Sequence, residues 1–339
     1  MRKRTRYSLL VALALVIALA VAVWLRKLAP PEAARLLPES DAIIYVNLKP
    51  LRAVTHFDKN SIARSPEYQH FIDATGIVPE RDLDAAAFAL HRMDDPKGPN
   101  GPVAYSEVFE GRFDGERLAH YLSSIASSQE QYAGRTVYTV PIEGRTLRIA
   151  QLGYDTLAAS NMPTTEQIHA MLDRYGAAAS PFSGSSLLEA RYRDVPLLST
   201  AWGIGHVGLP FSEKGHIQIF GLGLPLPEDT TFVASLRPSV TSVRLRVEEI
   251  APTDGDAARA AQILGSLLQL LQAIPPKFAS QADKNDAETM REFISSLKVE
   301  QQKDRAIVTA SVPINLIKRI ATPENAPVVG PATTTEPAY

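Results

Sequence analysis

The sequence predicts an α+β protein with mainly antiparallel sheets and packed helices, preceded by one N-terminal transmembrane helix. Three observations favour this class. Short runs rich in Val, Ile, Thr and aromatic residues end at Gly, Pro or Asn, as strands do. Several of these runs follow one another across short turns, which is the pattern of antiparallel hairpins. Between them, Ser, Thr or Asp precedes stretches whose apolar residues recur at helical spacing.

The predicted transmembrane helix is an apolar segment over residues 8–25, made almost entirely of Leu, Ala, Val and Ile. At about 1.5 Å per residue it is long enough to cross a hydrocarbon core of about 30 Å. Four basic residues precede the segment and two follow it, which favours a cytoplasmic N-terminus and a periplasmic or extracellular body. The alternative is a signal peptide cleaved within residues 18–22, which would leave a secreted protein.

Composition limits the chemistry that the chain can perform. The 339 residues include no Cys, which excludes disulfides, thiol catalysis and metal sites built on Cys. A net charge of −2 gives no bulk attraction for nucleic acid, and no nucleic-acid partner is expected. A bacterial periplasm or cell-envelope surface fits these properties best.

After residues 1–28 and a Pro-rich tether over 29–37, a first α+β unit is predicted over residues 38–225. Ser65 precedes Pro66 at the start of one helix, where Ser caps the helix and Pro suits its first position. Asp114 and Thr164 are the predicted caps of two further helices. The predicted helices are 66–75, 114–124 and 164–174, and the predicted strands are 43–48, 85–91, 103–113, 135–141, 145–152, 156–160, 197–207 and 216–224, the last two paired with each other.

A second α+β unit is predicted over residues 226–322, followed by a disordered tail over 323–339 that is rich in Pro and Thr. Its most apolar helix covers residues 256–274. The other predicted elements are strands 232–236, 242–250, 299–302 and 306–312 and helices 287–296 and 314–320.

A short internal similarity predicts that the two units are copies of one fold. Leu37-Pro38-Glu39 opens a segment that reaches a strand and a proline, and the same three residue types recur at 226–228 before a similar segment. The strands 43–48 and 232–236 are therefore predicted to be equivalent. The apolar helix over 257–274 is predicted to lie at the junction of the two units.

The first unit also resembles a family of bacterial exported proteins that share an uncharacterised domain. The resemblance is carried by Leu37-Pro38-Glu39 before a strand, by Phe113-Asp114 at a helix start, and by the segment 132–138. It covers roughly residues 37–160 and, more weakly, 226–320. The resemblance implies an N-terminal anchor and a duplicated α+β body, and it implies no activity and no site residue.

No catalytic, cofactor-binding or metal-binding residue is predicted. Residues 203–208 match GxGxxG, but Leu209 and Pro210 follow where a nucleotide-binding fold needs a helix, so no nucleotide partner is expected. No two of the seven His residues stand four apart on one predicted helix, as a zinc helix would require. Adjacent Glu248 and Glu249 should point to opposite faces of a strand and cannot act as an acid–base pair.

The apolar helix is the one candidate interaction surface. It is expected either to be buried in its own core or to bind another apolar element. The residues proposed for such a surface are Ile263, Leu264, Leu267, Leu268 and Leu271. The sequence therefore favours a non-enzymatic binding or scaffold protein of the cell envelope, with an envelope protein as partner. The alternatives are a carrier of a hydrophobic ligand and a periplasmic hydrolase whose site is assembled from distant residues.

Overall fold

A computed structural model describes residues 29–59, 64–142, 144–177, 183–206, 216–219, 222–225, 230–239, 242–273 and 283–314. The predicted membrane segment 8–25, the predicted tail 323–339 and nearly all of the predicted helix 314–320 lie outside these ranges. Within the described part of the chain, no helix has both the length and the apolar character needed to span a membrane.

Helices and strands alternate along the chain, singly or in groups. The first part contains α1 (Glu32–Leu36), β1 (Ala42–Asn47), α2 (Leu48–Thr55), α3 (Pro66–Thr75), α4 (Pro79–Asp82), β2 (Leu83–Arg92), β3 (Val103–Gly111), α5 (Gly115–Ile125), β4 (Ser128–Tyr132), β5 (Arg135–Ile142), β6 (Arg145–Gln151), β7 (Thr156–Ser160), α6 (Glu166–Gly176) and α7 (Ser186–Arg191). The second part contains β8 (Ala201–His206), β9 (His216–Ile219), β10 (Leu222–Pro225), β11 (Thr231–Pro238), β12 (Ser242–Ile250), α8 (Asp254–Ala273), α9 (Asp283–Ser296), β13 (Lys298–Gln302) and β14 (Arg305–Pro313).

Local signals set several helix boundaries as predicted. The Ser65 hydroxyl accepts the backbone N–H of Tyr68, and α3 ends at Gly76, whose φ of 73° lies in the left-handed region that glycine tolerates. The Asp114 carboxylate accepts the N–H of Arg117 at the start of α5. These caps satisfy backbone groups that a helix end would otherwise leave unpaired.

Twelve of the strands form one sheet in which every neighbouring pair is antiparallel, in the order β13-β14-β12-β11-β8-β1-β2-β3-β7-β6-β5-β4. The predicted α+β class, with a large antiparallel sheet and packed helices, is confirmed. The predicted pairing of 197–207 with 216–224 is wrong. Strand β8 pairs with β1 and β11, and β9 pairs with β10 in a separate hairpin.

The strand order reads alike in both directions from the central β1–β8 pair. One direction runs β1-β2-β3-β7-β6 and the other runs β8-β11-β12-β14-β13. In each direction a helix follows the third strand of the order, which is β3 or β12. The strand that comes last in sequence in that half, β7 or β14, then pairs with this third strand. This order matches residues 42–47 with 201–206, whereas the sequence predicted that 43–48 is equivalent to 232–236. Helix α8 packs against β13 and β14 at the sheet edge, not at the central junction where it was predicted.

One face of the sheet, here called the closed face, carries the main hydrophobic core. Ile43, Tyr45, Val108, Trp202 and Ile204 belong to this core and are buried. Helices α1, α6 and α7 contribute the residues that cover it, namely Ala33, Ala34, Leu36, Ile168, Met171, Leu172 and Leu188. The predicted tether over 29–37 does not extend through α1, because that helix is part of the core.

An ionic network fixes the short helical turn Tyr192–Asp194, which follows α7, to the second half of the sheet. The Arg305 guanidinium donates to a Glu248 carboxylate oxygen and to an Asp194 carboxylate oxygen, each at 2.9 Å. Arg246 donates to the other Glu248 oxygen at 2.6 Å. Glu248 is only 3% exposed, so its charge needs both partners.

Candidate apolar binding face

The second face of the sheet is apolar across almost its whole width. The register of the strands aligns one side chain from each strand into rows. One row runs through Tyr138, Ile149, Ala159, Glu107, Phe88, Ile44, Gly203, Ala234, Val247, Val308 and Val299. The next row runs through Leu157, Phe109, Ala86, Val46, Ala201, Leu236, Leu245 and Ala310.

Helices pack near the two edges of this sheet. On the second face, α5 packs against β5, and Leu118 and Leu122 of this helix cluster with Tyr138. Helices α8 and α9 pack against β13 and β14 at the other edge. The middle strands carry side chains that remain half-buried, and these define the open face: Ile44, Val46, Phe88, Phe109, Phe232, Ala234, Leu236, Leu245 and Val247.

The contrast with the closed face is sharp along a single strand. Ile43 is 0% exposed on the closed face, whereas its neighbour Ile44 is half-buried on the open face. An apolar sheet face normally packs against another layer of the protein. A broad apolar surface left partly exposed is typical of a site that binds another apolar molecule.

Two glycines of β8 leave the centre of the open face without a side chain at their positions. A Cβ on Gly205 would lie 2.4 Å from the Ala42 Cβ, so no side chain fits there without movement of the backbone. A Cβ on Gly203 would meet the Ile43 carbonyl oxygen at 3.6 Å, which is ordinary contact. Both glycines belong to the GxGxxG match, and the role of Gly205 here is close approach of strands.

Two glutamates lie among the apolar side chains of this face. Glu107 lies between Phe88 and Ala159 in the first row, and Glu249 pairs across the sheet with Phe232. Within the described residues, neither carboxyl takes part in a hydrogen bond or an ion pair. Burial raises the pKa of both groups, which favours their neutral forms.

The two glutamates could have been found only from the strand register. The prediction that Glu248 and Glu249 point to opposite faces is confirmed. Glu248 binds Arg305 and Arg246 on the closed face, and Glu249 lies on the same side as Phe232 of the open face.

The structure places the residues proposed on the apolar helix at the sheet edge, on α8. Ile263 is 51% exposed, and the side chains of Leu264, Leu267 and Leu268 are half-buried. The side chain of Leu271 lies outside the part that the structure describes. Of the α8 side chains that are described, Ala257 is the buried one, so burial all round in its own core does not hold for this helix.

A serine–histidine pair lies under the closed face, near the start of β3. The His91 Nε2 and Ser106 Oγ atoms are 2.8 Å apart, and Ser160 Oγ is 3.1 Å from Ser106 Oγ. Ser106 is 0% exposed, so a substrate has no access to its hydroxyl. Burial lowers the pKa of His91 to about 4. The arrangement therefore satisfies buried polar groups, as packing requires.

An open cleft of about 500 Å³ lies beside the start of α5 and contains clustered Arg and Asp residues. Burial would raise the pKa of Asp82, but bonds from Arg81 and from the Val78 N–H keep it below its ordinary value. Arg117 donates to the carbonyls of Ala74 and Asp73. The charged side chains of Asp82 and Arg117 therefore bind backbone groups of neighbouring segments. Across the described ranges, no group of three or more His, Asp and Glu residues could hold a metal ion.

Comparison with known proteins adds little to this geometry. No family model matches the chain, and no curated protein matches it. Three solved crystal forms of TP0453 match 86% of this chain at 10% identity. Form III covers 98% of that chain with a TM-score of 0.46, form IV 96% with 0.47, and form I 98% with 0.43. At this similarity the match implies no activity, ligand or partner.

Proposed function

We propose that this protein is a non-enzymatic binding protein of the cell envelope, anchored through residues 8–25, with its body outside the cytoplasm. Its open face binds an apolar ligand. The observation that carries the proposal is the pair of apolar rows across the middle strands, whose side chains remain half-buried. Covering such a surface releases about 25 cal/mol for each Å² of apolar area removed from water.

The open face has the features of a site for hydrocarbon. Gly203 forms the bottom of a groove on this face. The sides of the groove are the side chains of Ile44 and Ala234, which pair with Gly203 on the neighbouring strands. Phe88 and Phe109 stand beside it with ring centroids 5.9 Å apart. Glu107 supplies one polar group near the groove, which suits a ligand with a polar end.

We propose in addition that the body arose by duplication of one α+β unit. The matching strand orders on the two sides of the β1–β8 pair support this. In this revised assignment β1 corresponds to β8 and β2 to β11. The open face then lies across the boundary between the two copies, where each contributes part of one site.

Residues 29–339 are suited to test the ligand site, because every residue of both hydrophobic clusters follows residue 32. The test is titration with a fluorescent alkyl-chain probe. Gly203→Val should fill the groove and weaken binding at least tenfold. The variant should fold at least as stably as the parent, since Gly in a strand interior is destabilising by roughly 0.5–1 kcal/mol.

Gln129→Val is the matched control, because it places the same side chain on the exposed edge strand β4 of the same sheet. It should bind the probe as the parent protein does. Equal binding by the Gly203→Val variant and the control would contradict a site on the open face. Absence of probe binding by the parent would favour a scaffold that contacts an envelope protein.

The hydrolase alternative has one specific candidate, the Ser106–His91 hydrogen bond. If this pair were catalytic, Ser106→Ala would abolish hydrolysis of ester substrates and leave the fold intact. We expect a loss of stability instead, because the substitution removes the hydrogen-bond partner of buried His91. Ester hydrolysis that disappears in a fully folded Ser106→Ala variant would overturn the non-enzymatic proposal.

A further inference from the structure

The chain enters the body at one end of the sheet, here called the tether end, where β1 and β3 finish and β8 and β12 begin. The Ala33 N–H donates to a Glu110 carboxylate oxygen at 2.8 Å, and Glu110 adjoins the last residue of β3. From Arg26, which follows the apolar segment, to Glu32 the chain reaches at most about 20 Å. A strand as long as β2 spans about 33 Å. If residues 8–25 are the anchor, as proposed above, the tether end is the one held beside the bilayer.

Two leucines project into solvent at this same end. Leu197 is 58% exposed and Leu198 is 81% exposed, immediately before β8. The φ of Leu198 is 66°, a left-handed conformation that is rare for a bulky residue. Backbone bonds hold the loop in place, since the Thr200 N–H donates to the Leu236 carbonyl at 2.8 Å and the Ser199 N–H to the Pro196 carbonyl at 3.3 Å.

An arginine pair lies beside this loop. Arg237 and Arg244 stand directly opposite each other on β11 and β12, and Arg237 follows the Leu236 that binds Thr200. Like charges directly opposite destabilise an antiparallel pair. Within the described residues, neither arginine forms an ion pair, whereas nearby Arg246 binds Glu248. The arrangement leaves two guanidinium groups available to an external anion.

We propose that the tether end docks on a bilayer surface that carries anionic lipids. Leu197 and Leu198 enter the interfacial region, where apolar side chains leave water. Arg237 and Arg244 bind lipid phosphate groups, for which guanidinium is well suited. The occupant is the membrane that holds the anchor, because the short tether keeps this end within reach of it. The body is thereby fixed in one orientation, with the strands standing away from the membrane.

The test uses the full-length protein in nanodiscs made of zwitterionic lipid alone or with anionic phosphatidylglycerol. Because the chain has no Cys, Leu198→Cys accepts a single environment-sensitive fluorophore. The control is Ile142→Cys, which is 44% exposed at the opposite end of the sheet. In anionic nanodiscs with quencher-bearing lipids, the label at 198 should be quenched several-fold more than the label at 142.

The arginine pair has its own control. In anionic nanodiscs, the double variant Arg237→Gln/Arg244→Gln should lose most of the difference in quenching between the label at 198 and the label at 142. Arg145→Gln, which removes an exposed charge beside Ile142, should keep it. Amide exchange over 196–200 in the unlabelled protein should slow in anionic nanodiscs. Equal quenching at 198 and 142, or quenching unaffected by the double variant, would overturn the proposal. An intact mass that begins near residue 21 or 23 would also overturn it, because no anchor would remain.

Discussion

The closed and open faces of the sheet are built by the same strands from alternate residues, and both are apolar, yet only one is sealed. On the closed face, α1, α6 and α7 bury Ile43, Trp202 and Ile204 almost completely. On the open face, Ile44 and Val247 remain half-buried. The comparison teaches that apolar patterning on both faces of a strand does not by itself mean burial on both faces. The uncovered apolar surface is the natural place to look for a ligand.

The two faces also treat their ionisable groups differently. His91 has the Ser106 hydroxyl at 2.8 Å on the closed face, whereas Glu107 has no partner among the described residues on the open face. A buried polar group without a partner destabilises the fold. Buried His91 is therefore satisfied within the fold, whereas the Glu107 carboxyl has no such partner among the described residues.

The largest expected effect compares two neighbours of the same residue type. Ile43→Ala should lower the free energy of unfolding by about 2–5 kcal/mol, because it leaves a cavity in a packed core. Ile44→Ala, one residue further on, should lower it by about 1 kcal/mol, since its side chain is only partly removed from water. Urea unfolding of residues 29–339 measures both. Equal losses would mean that the open face is as well covered as the closed face.

The next effect concerns pH and His91. Burial lowers the pKa of this group to about 4, whereas a histidine in an unfolded chain has a pKa of about 6.5. The unfolded state therefore binds the proton first as pH falls. Stability should drop between about pH 6.5 and pH 4, by on the order of 3 kcal/mol, and then level off.

The His91→Gln variant isolates that contribution, because Gln retains a hydrogen-bonding group near Ser106. The difference in unfolding free energy between the parent and this variant should shrink as pH falls through this range. A difference that stays constant from pH 7 to pH 4 would mean that His91 titrates as a solvent-exposed group does.

A smaller effect of opposite sign is expected from Glu107. Burial raises the pKa of this carboxyl, so the folded state keeps its proton at a pH where the unfolded chain has lost it. Stability contributed by this group is present below the ordinary pKa of 4.5 and is lost as pH rises. Glu107→Gln should therefore stabilise the protein at pH 7 more than at pH 4. Glu300→Gln on the exposed side of β13 is the control and should change little in thermal unfolding at either pH.

The sequence predicts the local structure of single helices and strands better than it predicts which strands pair. Strand β12 and the caps Ser65 and Asp114 lie where the pattern places them, because alternation and capping depend on neighbouring residues. The β1–β8 pair joins residues more than 150 positions apart, and no local signal encodes it. Helix α1 was missed because its five residues are too few to show a helical period, and Pro30 and Pro31 suggest a linker.

The open face was missed for the same reason. The continuous apolar run 42–46 suggests a strand that is apolar on both faces. Which face the helices cover depends on contacts between distant segments. The apolar helix over 257–274 drew attention instead, and the structure places it at the sheet edge.

The most direct test of an apolar site on the open face is photo-crosslinking. Residues 29–339 are equilibrated with a fatty-acyl probe that bears a diazirine in its chain, then irradiated and digested, and the modified peptides are mapped by mass spectrometry. The account predicts modification concentrated on the peptides that contain β1, β2, β11 and β12, and reduced by Gly203→Val but not by Gln129→Val. Modification concentrated on α8, around Ile263 and Leu267, or spread evenly over the surface, would contradict it.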